Sequence, residues 1–387
     1  MNADFDVEAV RSRFPVFKKK IFLNSCSQGA LSDAVETSLR EHIRVWHEQG
    51  SPWDCWVEQY EAARTAFARF IGAAPEEVAV VTSASAGINS VASALDFSRR
   101  PKVIMGEFEF PTMGQIWLAQ ERRGAKIQFL AAENGKLSPD TYARAIDDQT
   151  LIVPVTQVCF SNGFRSDIRS IVRHAHDHGA LVMFDGYQDC GTRPINVKEL
   201  DVDFFVTGAL KYLLCPSGVA FLYVRPELIA SLTPTITGWF AQENPFAFDV
   251  KHLRPAATAR RFETGSPPLP HVYAVPAALQ LMGGVGFGRI SEHIARLTRA
   301  LMAGARDLKI RLKTPADSVG PLLVLQMKDS DAMVKKLAQR DIVASNRMDG
   351  LRVSFHLYNT LEDVNAVLEV LQDNLFLTVQ EMTAPRN

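Results

Sequence analysis

The chain has little of what marks a secreted, membrane-bound or nucleic-acid-binding protein. Of its 387 residues only 5 are cysteine, at 26, 55, 159, 190 and 215, with no CxxC spacing. That scatter argues against a disulfide framework or a structural zinc site, and no other metal-ligand pattern is evident. Buried thiols in a reducing cytoplasm are the expectation. No run of about 18 uninterrupted apolar residues occurs, so no membrane span is expected. The opening MNADFDVEAVRSRF is charged and lacks the apolar centre of a signal peptide. An excess of either charge is missing too, with 42 Lys and Arg against 43 Asp and Glu. Nothing therefore prepares the surface for a phosphate backbone, and the short cluster Lys18, Lys19, Lys20 reads as solvated surface. Repeats and low-complexity segments are absent.

What is present is a soluble globular balance, 47% hydrophobic and 22% charged. The length suits two domains sharing an interface. From about residue 76, short apolar runs alternate with amphipathic stretches: VAVVTS (78–83), KVIMGEFEF (102–110), LIVPVTQV (151–158), LVMFDGY (181–187), DFFVTG (203–208) and VAFLYV (219–224). Runs this short, rich in Val, Ile and Phe, read as strands covered on both faces. The intervening SDIRSIVRHAHDHGA (166–180) places Ile168, Ile171, Val172 and Ala175 at helical spacing, with Gly179 at the stop. Strand–helix alternation predicts an α/β domain on a mainly parallel sheet.

After about residue 230 the pattern changes. GWFAQENPFAF and GSPPLPH carry loop signals, and a long helical stretch is expected over 274–307. PLLVLQM, DAMVKKLAQRD, GLRVSF and TLEDVNAVLEVLQDNL then read as strand, helix, strand, helix. The last helix opens on a capping-box-like pair, Thr360 and Asp363. The expected division is an N-terminal arm (1–30), a large domain (31–255) and a smaller α+β domain (256–387).

Ligands of open α/β sheets sit beyond the C-terminal strand ends, so the residues there carry the chemistry. The first run ends in Ser83-Ala84-Ser85 and enters a helix whose free N–H groups suit a phosphate, although the same residues serve as an ordinary N-cap. The second ends in Glu109-Phe110-Pro111, where Phe110 either packs the core or faces a ring. The fourth ends in Asp185, followed by Tyr187-Gln188. A carboxylate there is costly unless paired, and either a protonated pyridine nitrogen or a loop salt bridge would pair it. The fifth ends in Thr207-Gly208-Ala209-Leu210-Lys211-Tyr212. A lysine among Leu210, Tyr212, Leu213 and Leu214 has no water-facing reason to be there, and apolar surroundings favour the neutral, nucleophilic amine. Asp185 and Lys211 are one strand–loop–strand passage apart, which brings both to one rim of the sheet.

FDGYQDCGT followed by TGALKYLLCPSGVAFLYVRPEL resembles the cofactor signature of the class V aminotransferases. These are fold-type-I enzymes dependent on pyridoxal 5′-phosphate (PLP), among them cysteine desulfurases, selenocysteine lyases, kynureninases and isopenicillin N epimerases. The resemblance runs from IFLNSCSQGAL to LRVSFHLYNTLEDV. It implies a seven-stranded, mainly parallel sheet. It further implies that Lys211 joins PLP as a Schiff base, that Asp185 holds the pyridinium nitrogen and that Gln188 bonds the phenolic oxygen. Ala84, Ser85 and Thr207 become phosphate contacts, and Phe110 takes the ring-stacking position. Arg352 pairs with a substrate α-carboxylate, and Asn24 lies where relatives contact substrate. RRFETGSPP resembles the loop that reaches a phosphate across a dimer interface, which gives Thr264 a role in the partner's site and implies a homodimer.

The sequence also departs from relatives. The stretch DIVASNRMDGLRVS has no cysteine where desulfurases carry their nucleophile, and Leu210 stands where many members have histidine. Cys26 and Cys215 are expected as buried filler. Trp239 and Phe240, in a loop resembling one near the kynureninase pocket, either wall the site or pack a domain junction. His356 and Tyr358 face either pocket or core. The expected activity is a lyase cleaving at Cα or Cβ of a small amino acid, by β-elimination and conceivably at a C–S bond. Transamination, epimerisation, or cofactor binding without catalysis are the alternatives.

Overall fold

The apolar runs become strands of one seven-stranded sheet in a computed structural model, which describes residues 5–381. After a short β1 (Ile21–Phe22), these are β2 (Val78–Val81), β3 (Lys102–Gly106), β4 (Lys126–Leu130), β5 (Thr150–Thr156), β6 (Leu181–Asp185), β7 (Phe204–Gly208) and β8 (Ala220–Val224). Their order is β2-β8-β7-β6-β5-β3-β4. Only β8 runs antiparallel to its neighbours, so the sheet is mainly parallel and the fold is α/β as expected.

One strand was not anticipated. β4, KIQFL, is largely exposed, with Phe129 at 48%. It is an edge strand, covered less than the central runs and so lacking their unbroken apolar pattern. The predicted helix 166–180 is found at Ile168–Asp177, capped by Asp167 and stopped before Gly179 at φ +65°. The single long helix expected over 274–307 is instead two, Ala274–Val285 and Phe287–Asp307. Gly286 breaks it at φ +95°, which costs glycine little.

A second, three-stranded antiparallel sheet has the order β11-β12-β9: β9 is Leu322–Gln326, β11 Ser345–Arg347 and β12 Gly350–Ser354. A short β10 (Ile342–Val343) pairs in parallel with β1. The N-terminal segment continues along this unit: Asn24 bridges to Ser354, and Cys26 N–H donates to Ser354 Oγ at 3.0 Å. Arg11 forks onto both oxygens of Asp363 (2.8 and 2.9 Å), and Thr360 and Asp363 form the expected capping box. These ties hold Cys26 and Ser27 against the sheet rim. Residues 1–4 of the expected arm and 382–387 of the expected small domain lie outside the described residues.

Arg64 and Glu263 form a buried ion pair at 2.5 Å, and Glu263 also accepts from Val80 N–H. Breaking such a pair would leave a charge stranded in the interior, so the RRFETGSPP segment is fastened to β2.

A candidate active site at the carboxyl edge of the sheet

The chain reverses direction across the sheet between β3, whose two neighbours are β4 and β5, and the strands that follow, a topological switch point. The loops leaving β2, β3, β5, β6 and β7 meet there around a cavity of about 350 Å³. Its wall includes Ala84, Ser85, Phe110, Asp185, Gln188, Lys211 and Arg352, which are seven of the predicted site residues.

Asp185 ends β6 at 6% exposure, and its Oδ1 accepts from Tyr187 N–H at 2.8 Å. Burial pushes its carboxyl above the usual carboxylate range; the Tyr187 N–H and the Lys211 charge pull the other way. Among the described residues it has no ion-pair partner. Gln188 is buried, donates from Nε2 to the Cys26 carbonyl at 3.1 Å, and leaves Oε1 without a partner.

Lys211 lies just beyond β7. Its Nζ is 4.4 Å from the centre of the Tyr187 ring and 5.6 Å from that of Phe110. Burial lowers its pKa to about 8, with Arg352 and Arg347 adding to the fall, while Cys26 and Asp185 oppose it. Gly208 makes room for this arrangement: a Cβ there would stand 2.1 Å from the Tyr187 hydroxyl.

The helix Ala84–Ala94 starts at the cavity. Ser83 Oγ caps Ala86 N–H and the Ser83 carbonyl takes Gly87 N–H, while Ala84 and Ser85 N–H have no partner among the described residues. Two free donors at the positive end of a helix dipole form an anion cradle.

Arg352, on β12, is 1% exposed. Its guanidinium donates to Ser27 Oγ (2.7 Å), Ser345 Oγ (2.9 Å) and the Phe160 carbonyl (3.2 Å), all neutral acceptors. Phe160 also meets Phe110 edge-on at 5.1 Å. Next to Phe110, Glu109 is buried, with Oε1 accepting from Thr156 N–H and Oε2 without a partner. Burial and the Asp185 charge push its carboxyl up to about 8, so it is mostly protonated at neutral pH.

Three predicted residues are not brought to the cavity wall. Thr207 is fully buried, with its hydroxyl donating to the Gly208 carbonyl at 3.2 Å. Asn24 is taken up in the bridge to Ser354. Thr264 lies with its carbonyl on Phe240 N–H, beside the exposed Gly265 and Ser266. Trp239 and Phe240 also stay away, packing on Trp53 and Tyr60. His356 and Tyr358 are core residues, bonded to the Tyr212 carbonyl and to Ser25 Oγ. Cys215 is buried elsewhere, but Cys26 lines the cavity.

Tyr187, Phe160 and Arg347 are wall residues to which the sequence reading gave no role. Tyr187 had a usable signal in its place two residues after a buried acid. Phe160 and Arg347 become neighbours of the site only through long-range packing.

A family model described as Aminotransferase class-V matches residues 44–367. The uncharacterized aminotransferase YcbU of Bacillus subtilis is 32% identical over 363 residues, 94% of this chain and 96% of that protein. A kynureninase of Bacillus anthracis is 28% identical, over 90% of this chain and 87% of its own. Among solved structures, the apo cysteine desulfurase of Thermococcus onnurineus NA1 matches with a TM-score of 0.87 at 22% identity, covering 96% of this chain and 99% of that one. The last of these is a likeness of fold.

Proposed function

The chain belongs to the class V aminotransferase family and is a PLP-dependent enzyme, and from that premise we propose a lyase that cleaves at Cα or Cβ of a small α-amino acid. The observation that carries the reading is the Lys211 amine, held in an apolar cavity between two aromatic rings, with Asp185 on the same wall.

The residues present fit the cofactor. Asp185, buried and without an ion-pair partner among the described residues, would hold a ring nitrogen in its protonated form. The free N–H groups of Ala84 and Ser85 would take the phosphate. Gln188, with a second amide hydrogen unused, would reach the phenolic oxygen, Phe110 would cover the ring, and Lys211 would hold the aldehyde carbon. When bound, PLP withdraws electrons from the bonds at the substrate Cα. Arg352 would fork onto the substrate carboxylate and so fix which of those bonds is activated. Lys211 would carry the proton to or from Cα. Phe110, Phe160 and Val158 would present apolar surface to the reacting carbon. Thr264 and its exposed neighbours are proposed to serve the site of a second subunit.

Elimination is favoured over a persulfide mechanism because the β11–β12 hairpin and the residues leading into it, 341–350, contain no cysteine. A second reading, transamination, is supported by the 32% identical relative named as an aminotransferase. Product analysis separates them. A lyase given substituted alanines should release a 2-oxo acid and ammonia with the cofactor returned unchanged. Stoichiometric conversion of the cofactor to its amine form, with turnover only when a 2-oxo acid is added, would replace the lyase by a transaminase.

The lowered lysine pKa gives a separate expectation. Capture of PLP by the cofactor-free chain requires neutral amine, whose fraction rises as pH passes through about 8 instead of the ordinary 10.5. Stopped-flow capture rates should therefore climb from about pH 7 and level off by roughly pH 9. A rate still rising about tenfold per pH unit beyond that would mean the amine is not buried.

A further inference from the structure

We infer that Arg347 receives a second anionic group, so that the substrate is an amino acid with an acidic side chain such as a carboxylate or sulfonate. This rests on the reading of Arg352 as the α-carboxylate receptor and extends it to the other end of the substrate.

The hairpin register carries the inference. β11 and β12 pair Ser345 with Arg352 and Arg347 with Gly350. Alternate residues of a strand share a face, so Arg347 stands on the side that Ser345 shares with Arg352. Gly350 opposite it has no side chain to cover it. Both arginines line the cavity that holds Lys211.

Arg347 also lacks a partner of its own charge requirement. Its one hydrogen bond among the described residues runs from Nη1 to the carbonyl of neighbouring Asn346, at 2.7 Å. Asp349 in the hairpin and Asp331 on the helix Ser330–Ala338 both have partners other than Arg347. Asp349 accepts from Lys313 Nζ (2.5 Å) and Gln326 Nε2 (2.9 Å), and Asp331 accepts from Asn346 Nδ2 (2.8 Å).

The charges of the wall then leave one cation over. Lys211, Arg347 and Arg352 face a single wall acid, Asp185. The cofactor's aldehyde accounts for Lys211, its ring nitrogen for Asp185, its phosphate for the helix terminus, and the substrate α-carboxylate for Arg352. Arg347, exposed while lining the cavity, remains for a group on the substrate side chain. Desolvation lowers the pKa of Arg347, and the nearby Arg352 guanidinium adds to the fall, while Cys26 opposes it. A substrate anion would relieve that repulsion.

Calorimetric titration of the PLP-loaded enzyme with unreactive acids tests this without turnover. The probes are succinate, glutarate and adipate, each against its monoamide. In the native enzyme at least one diacid should bind about 10-fold or more tighter than its monoamide, the scale of a charge-assisted hydrogen bond. That preference should fall below about 2-fold in Arg347→Gln and survive in part in Arg347→Lys. A ratio near one at every length in the native enzyme, or an unchanged ratio in Arg347→Gln, overturns the inference. Arg352→Gln should weaken diacids and monoamides alike; monoamide binding untouched by that change would instead sink the carboxylate reading beneath it.

Discussion

Replacing Lys211 by alanine should end covalent capture of the cofactor and lower turnover by about 10²–10⁴-fold, the range for losing a positioned proton-transfer group. The amine is a nucleophile in the cavity whose pKa, about 8, leaves a useful neutral fraction near physiological pH. It is also the group that touches both rings. Borohydride reduction followed by intact mass measurement should fix the cofactor to the native chain and not to the variant. Methylamine in the buffer should restore part of the variant's turnover, because a small free amine can enter the space that the side chain vacates. A lysine that merely packed against Tyr187 and Phe110 would show no such rescue. Cofactor mass retained by Lys211→Ala, or turnover within a few fold of native, would remove the foundation of the functional reading.

The charged residues that the sequence disclosed share one property: they interrupt or end buried apolar strands. Asp185 and Lys211 stand where a central strand leaves the interior, and a charge there is too costly to be filler. Arg352 is visible for the same reason inside GLRVSF, an otherwise apolar strand. The resemblance to a family then supplied roles that composition could not. Thr207 is legible only in part, since its place at a strand end shows in the sequence but the bond of its hydroxyl to the Gly208 carbonyl does not. Arg347 shows where this reasoning fails. In a short polar hairpin an arginine looks like solvated surface, and only the pairing of Ser345 with Arg352 reveals which way it faces. Likewise Phe160 joins the site by a backbone carbonyl, which no side-chain pattern encodes. β4 was hidden because an edge strand is exposed on one side, and the break at Gly286 because one glycine in a helical pattern is often tolerated.

Arg352→Met is expected to separate stability from function. The guanidinium is buried at 1% exposure among Ser27, Ser345 and the Phe160 carbonyl, none of which carries charge. A buried cation without an anion loses hydration that neutral acceptors only partly replace, and an apolar residue of similar length is often neutral or stabilising in its place. The thermal midpoint of the ligand-free variant should therefore equal or exceed that of the native chain. Function should move the other way. A fork onto a substrate carboxylate supplies two charge-assisted hydrogen bonds, each about 1.5–3 kcal/mol, and their loss should lower kcat/KM by on the order of 10²–10³-fold. Calorimetric melting and steady-state kinetics on the same preparation decide it. A variant that melts several degrees lower yet keeps native kcat/KM would make Arg352 a structural tie between the N-terminal segment and β12. The opposite pattern means that the fold tolerates a stranded charge because the substrate, once bound, completes the pair.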